Sequence, residues 1–193
     1  MRNRHLTLFP VLLVAFCLLN VMPAGMYDQE HEAPDLPEAT RLLIDDVRGS
    51  TVRFQDIAVA LEEGYGKFLE CFKHGADQGM GQHYVNGELV GDDALDPLQP
   101  EALVYEPRKD GTMILVAFEY LVFADAWDAN DEGREPPTLF GQEFQLKTNI
   151  PETPPVWALH IWLWAHNPEG LFADYNPIIF CPEDQPSIDM SMS

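Results

Sequence analysis

Two hydrophobic periods run along the chain. From Phe54 to Phe72 apolar residues recur at three- and four-residue spacing: Phe54, Ile57, Ala58, Leu61, Tyr65, Phe68, Leu69 and Phe72. They form one face of a helix, and Gln55, Asp56, Glu62, Glu63 and Lys67 fall elsewhere. Gly64 and Gly66 weaken its middle. The pattern therefore predicts regular helix to about Glu63, Gly64 as its C-terminal cap and a looser continuation to Cys71. A shorter helix over 37–47 precedes it, with Asp35 as cap, Pro37 in the first turn and Leu42, Leu43 and Ile44 to bury. Gly49-Ser50-Thr51 ends that helix, and Ser50 or Thr51 caps the next.

After residue 80 the period changes to two. His83-Tyr84-Val85-Asn86 has room for a short strand, reached through a glycine-rich loop (73–81) whose Gly75, Gly79 and Gly81 let backbone approach a ligand or another strand. Residues 103–105 and 113–123 make a hairpin around Lys109-Asp110-Gly111, because Asp-Gly is a favoured turn signal. On its second strand Leu115, Ala117, Glu119, Leu121 and Phe123 share a face. A carboxylate there must be paired, protonated or coordinated if buried. The last long apolar run, VWALHIWLWAHNP from Val156 to Pro168, places Trp157, Leu159, Ile161, Leu163 and Ala165 on one face. Val156, Ala158, His160, Trp162, Trp164 and His166 take the other. Buried imidazole and indole N–H groups need partners, so this second face is either a satisfied core or the floor of a pocket.

Helices first, then a strand, a hairpin and a late strand, with no alternating βα units, predict an α+β fold: a small antiparallel sheet covered by N-terminal helices, closed by one disulfide. Length allows one domain, expected over 37–181. Residues 1–25 read as a signal peptide: Arg2 and Arg4, then an apolar run over 6–21, then Met22-Pro23-Ala24-Gly25 for cleavage. Retention of that segment as an anchor is the alternative. Residues 26–36 form a mobile acidic leader and 182–193 a disordered tail. The chain is accordingly expected to be secreted or periplasmic.

Composition narrows the partners. The net charge of −21 becomes −23 once Arg2 and Arg4 are removed. Such a field repels phosphate backbones and anionic head groups, which excludes nucleic acid and peripheral membrane binding. Removal of Cys17 with the signal leaves Cys71 and Cys181, which should pair. Asp128-Ala129-Asn130-Asp131-Glu132-Gly133 starts like a calcium loop, but its twelfth position is Leu139 where a bidentate Glu is required, so it reads as a solvated loop.

Two function classes fit these residues. In the first, His83, Glu119 and His160, each from a different strand, form a site for a divalent transition metal (zinc, iron or copper) or a small ligand. Tyr84, Asn86, Tyr120, Trp162 and Trp164 border it as ligand-binding candidates. An open coordination position would permit hydrolytic or oxidative chemistry, though no H-x-H or H-E-x-x-H spacing is present and enzymatic activity stays open. In the second, the protein is a non-catalytic secreted binding or interaction domain whose His/Glu/Trp cluster is structural. Serine-type hydrolysis is disfavoured, since Ser50 is the only serine before Ser187 and falls at a helix cap.

The combination of GMGQHYVN (79–86), AFEYLVF (117–123), LFG (139–141) and ALHIWLWAHNPEGLFADYNP (158–177) before Cys181 resembles a widespread bacterial family of secreted proteins. The resemblance spans roughly residues 51–181. It implies that family's domain organisation and brings no catalytic residues with it.

Overall fold

The structure is a computed structural model that describes residues 36–75, 78–129, 133–151 and 153–182. The expected signal peptide, all of the expected leader except Leu36, the tail after Pro182 and the centre of the acidic loop (130–132) lie outside the described residues. Leu36 itself packs against the core.

Helix α1 (Glu38–Thr51) buries Ile44, Val47 and Thr51 along one stripe and carries Glu38 in its first turn and Arg48 in its last, complementing the helix dipole. It runs through Gly49-Ser50-Thr51 instead of ending at Val47; Thr51 is buried there, and the Ser50 and Thr51 hydroxyls both donate to the Val47 carbonyl. A single 3₁₀ turn (Val52–Gln55) leads to α2 (Ile57–Glu62), capped by the Asp56 carboxylate on the Ala58 N–H. Gly64 follows at φ +92°, the left-handed position at which a helix end favours glycine.

The predicted helical continuation to Cys71 is a strand, β1 (Gly66–His74). Here pairing overrides local period. β1 runs antiparallel to β2 (Gln78–Val85) with several bulges, and Cys71 is tied to Cys181. The bulges shift side chains between faces, so β1 never displays a clean alternation in its sequence. The segment read as a loop over 73–81 is thus mostly hairpin. Its glycines admit neighbouring chain: a Cβ on Gly79 would lie 2.7 Å from the Ile179 carbonyl oxygen, and one on Gly81 2.5 Å from Val104 Cγ1. Asn86 is the cap of a short helix, α3 (Gly87–Val90).

β3 (Ala102–Pro107) and β4 (Met113–Phe123) form the expected hairpin, closed by Arg108 N–H donating to Thr112 O and by Gly111 at φ +84°. α4 (Ala124–Asp128), the two-stranded β5–β6 unit (Thr138–Leu139, Gln142–Glu143) and β7 (Gln145–Lys147) precede β8 (Val156–Ile161). The main sheet has six strands, ordered β1-β2-β3-β4-β8-β7, every neighbouring pair antiparallel.

One face of this sheet holds the principal core. Ile44, Val47, Phe54 and Ala60 of the helical segments pack with Tyr84, Leu103, Tyr105, Phe118, Tyr120, Leu159 and Ile161. Three tyrosine hydroxyls that enter this layer donate to backbone carbonyls, Tyr65 to Pro100 O, Tyr105 to Phe54 O and Tyr120 to Pro97 O, all at 2.7 Å, and the Tyr84 hydroxyl accepts from Gln82 Nε2 at 3.2 Å. Such bonds contribute about 0.5–1.5 kcal/mol each and avoid the larger cost of a buried orphan hydroxyl. The other face carries two smaller apolar clusters, one around Ala102, Leu121, Val156 and Ala158, the other around Val104, Ala117, Trp162 and Ile179.

A bulge between Val104 and Tyr105 places Tyr105 opposite Leu115 and leaves Val116 as the extra residue. Leu115 therefore joins the principal core rather than the Glu119 face that strict alternation assigns it. Alternation along β8 holds as far as Trp162. Beyond it regular pairing is interrupted, although the Trp164 N–H still donates to Val116 O on β4; Leu163 and Trp164 both turn toward the principal core, and Ala165 packs on the other side. Asn167 then stabilises the expected turn by accepting from Glu169 N–H and donating to Tyr175 O.

Candidate metal centre

His83, Glu119 and His160 lie on β2, β4 and β8 and meet on the sheet face opposite the one that packs against α1 and α2. Register explains the meeting. Glu119 sits directly opposite His160 across the β4–β8 pair and opposite Ala102 across β3–β4. His83 pairs with Val104, one step along the same face. Ala102 has no side chain beyond Cβ, so the imidazole of His83 reaches diagonally over β3 to the Glu119 carboxylate.

His83 Nε2 stands 3.3 Å from His160 Nε2 and 3.4 Å from Glu119 Oε2. Glu119 Oε1 is 3.4 Å from His160 Nδ1, yet that nitrogen forms no hydrogen bond. One ligand atom from each residue can be chosen so that all three lie within 4.8 Å of one another. For comparison, a tetrahedral ion with bonds of about 2.0–2.1 Å separates its donors by about 3.3–3.4 Å. The two imidazoles cross at 87°, and the Trp162 ring stacks beside His160 at 6.2 Å. A second pair borders the cluster. Lys147 on β7 binds Asp174 at 2.5 Å, and Asp174 Oδ1 is 3.9 Å from His160 Nδ1.

Burial governs the charge state of the group. It pulls His83 down to about 3, assisted by the neighbouring His160 and opposed by the Gly81 backbone. His160 falls to about 3 for the same first reason, with Lys147 adding to it. Glu119 rises to about 8 through burial and the nearby Asp174 carboxylate, offset in part by Lys147. Without a cation the three groups are accordingly neutral at pH 7. The close His–Glu contacts are then contacts between neutral groups and not ion pairs.

The cluster is reached through a cavity of about 420 Å³. Leu69, Val85, Val90, Leu121, Phe123, Ile150 and Val156 supply apolar wall, and His83, Glu119, Lys67 and Thr153 supply polar side chains. Four of these wall residues share strand faces with the three candidate ligands: Val85 lies two positions after His83, Leu121 and Phe123 two and four after Glu119, and Val156 four before His160. That spacing is the signal in the sequence that identifies them. Lys147 and Asp174 carry no comparable signal, since their approach depends on the β7–β8 pairing and the return of the chain after Gly170.

Of the five bordering candidates, only Trp162 lies beside the cluster, donating its Nε1–H to Ala173 O at 2.6 Å. Tyr84 and Tyr120 have the opposite parity on their strands and point into the principal core. Asn86 caps α3 and donates to Glu63 O. Trp164 leaves the strand and packs against the principal core. None of the five lines the cavity.

The Cys71–Cys181 disulfide is formed, with Cα atoms 5.4 Å apart. Among the described residues no helix is long and apolar enough to cross a membrane. Comparison of the chain with family models, curated proteins and solved structures finds no match.

Proposed function

We propose that this protein is a secreted metal-binding domain that holds one divalent transition ion through His83, Glu119 and His160. The carrying observation is the convergence of two imidazoles and one carboxylate from three strands, all buried, with donors within 4.8 Å of one another. Two nitrogens and one oxygen suit zinc in a tetrahedral site with one position left for a ligand, and the same set accepts iron or copper. Secretion is supported by the disulfide, which persists in oxidising compartments, and by the signal-like character of residues 1–25.

A second reading rests on a specific observation, the 3.3–3.4 Å contacts already present among the three neutral groups. In that reading the trio is a structural polar cluster within a non-catalytic binding domain. Elemental analysis of the purified protein and of His83→Ala and His160→Ala separates the two. If the site holds metal, wild type contains about one equivalent and each variant contains none while keeping its near-UV circular dichroism. If the trio is structural, stability drops by roughly 1–3 kcal/mol through unsatisfied polar groups and metal content does not change.

A further inference from the structure

We infer that the cavity above Glu119 takes a small monoanionic amphiphile, a carboxylate borne on an apolar tail, whose head group meets the metal held by His83, Glu119 and His160. This inference rests on the metal reading of the site and adds the class of ligand.

Size comes first. A volume of about 420 Å³ lies within the roughly 300–1,000 Å³ typical of small-molecule sites. At roughly 30 Å³ per water it corresponds to about 14 water-sized groups, far more than a single metal-bound water fills. The walls decide the character of the tail. Leu69, Val85, Val90, Leu121, Ile150 and Val156 offer no hydrogen-bonding side chain, so water held against them is readily displaced by hydrocarbon.

Charge decides the head. A divalent cation with two neutral imidazoles and one carboxylate leaves one uncompensated positive charge at the floor of an apolar cavity, and a buried unpaired charge is strongly disfavoured. One monoanion cancels it. Hydroxide would also cancel it but would leave the apolar walls wet; a carboxylate with a tail satisfies floor and walls together. Among the described residues lining the cavity, Lys67 and Glu119 are the two formally charged side chains of Lys, Arg, Asp or Glu type. Lys67 is already paired with Glu70 at 2.5 Å, so it neither supplies nor demands the counter-charge at the floor. The overall charge of −21, which repels polyanionic surfaces, acts on only a single charge of a small monoanion and is screened over about 8 Å at physiological salt.

Decanoate is a suitable probe, and decanol is its neutral counterpart. Titration calorimetry of decanoate is carried out on the purified full chain loaded with zinc and on the same protein after chelation, with zinc content counted separately. The expected result is at least tenfold tighter decanoate binding to the loaded protein than to the chelated one, and at least tenfold tighter binding than decanol. Ile150→Trp, which narrows the cavity from a partly exposed wall position, should weaken decanoate at least tenfold and leave zinc content at one equivalent. Should that variant lose its near-UV circular dichroism, Leu121→Phe provides the same test. Equal affinity for loaded and chelated protein, equal affinity for decanoate and decanol, or undiminished binding in the folded wall variant would each overturn the inference. Zinc bound without a decanoate preference overturns the ligand class alone, whereas a wild type that takes up no zinc overturns the metal reading beneath it.

Discussion

Replacing Glu119 by glutamine separates the metal centre from the polar cluster it also resembles. Glu119 is buried beside two neutral imidazoles, and its pKa is raised to about 8. At pH 7 the metal-free protein therefore carries a protonated acid at this position, and glutamine is a neutral group of the same shape. The substitution should change metal-free stability by less than about 1 kcal/mol, the size of one exchanged hydrogen bond. The loaded protein should respond differently. An ion present at 100 times its dissociation constant stabilises the native state by about 2.7 kcal/mol. For a domain of this size each kcal/mol moves Tm by roughly 2–4 °C, so zinc should raise the wild-type Tm by roughly 5–11 °C. In Glu119→Gln the anionic ligand is gone and the increment should vanish. Differential scanning calorimetry with and without zinc, at pH 7, measures all four states. A metal-free variant destabilised by more than about 3 kcal/mol would refute the reasoning, because it would mean that the carboxyl group is ionised and paired in the native state. So would a zinc increment that survives in the variant.

Three further outcomes are expected. Without metal, His83 and His160 (lowered to about 3) make stability rise with pH between about 3 and 6.5, because the unfolded chain binds the protons the native state refuses. Glu119 and Glu101 (both raised to about 8, Glu101 through burial) make it fall between about 4.5 and 8, since there the native state holds protons the unfolded chain has lost. The denaturant midpoint of the chelated protein should accordingly peak near pH 4.5–6.5, and zinc, which needs Glu119 ionised, should flatten part of the alkaline decline. Peptide mapping of the non-reduced protein should find Cys71 linked to Cys181, and Cys71→Ser/Cys181→Ser should lose up to roughly 4–5 kcal/mol in urea unfolding, the chain-entropy value for a loop of 110 residues. Gly81→Ala meets both a φ of +87° and Val104 Cγ1 at 2.5 Å, so it should destabilise by roughly 1–3 kcal/mol and weaken zinc uptake by displacing His83, two residues away.

How much of this is legible in the chain depends on which residues answer to local physics. Ala117, Glu119 and Leu121 on β4 and Ala158 and His160 on β8 alternate cleanly, so the face carrying the candidate metal ligands can be read directly, and Asp110-Gly111 marks the hairpin that brings β4 into place. The pairing of Cys71 with Cys181 follows from counting. β1 is different. Tyr65, Phe68, Leu69 and Phe72 satisfy a helical period, while the strand they join is bent by bulges that hide any period of two. Only the hairpin pairing with β2 and the disulfide to the distant Cys181 make it extended. The same holds for Leu115, displaced by the bulge at Val116, and for Trp164, whose parity is lost where the backbone of Trp162 bonds to Leu171 before Trp164 returns to bond Val116 O. Parity assigns Tyr84 and Tyr120 to the principal core as soon as His83 and Glu119 are placed on the other face. Adjacency to a ligand along a strand is thus evidence against sharing its pocket.

The three ligating residues come together only across four strands, with His83 and His160 separated by 77 positions in the chain. Loop closure over such a distance is completed only when β2, β3, β4 and β8 have all docked. A cation at this site would meet its full set of donors only once these four strands are paired, so it is expected to act on the native state rather than to seed the sheet. Its benefit falls on the escape from the native state: added zinc should slow unfolding while leaving the refolding rate unchanged, so that the protein gains persistence rather than speed. Resistance to unfolding of that kind would be measured as a half-life at a fixed denaturant concentration rather than as a midpoint.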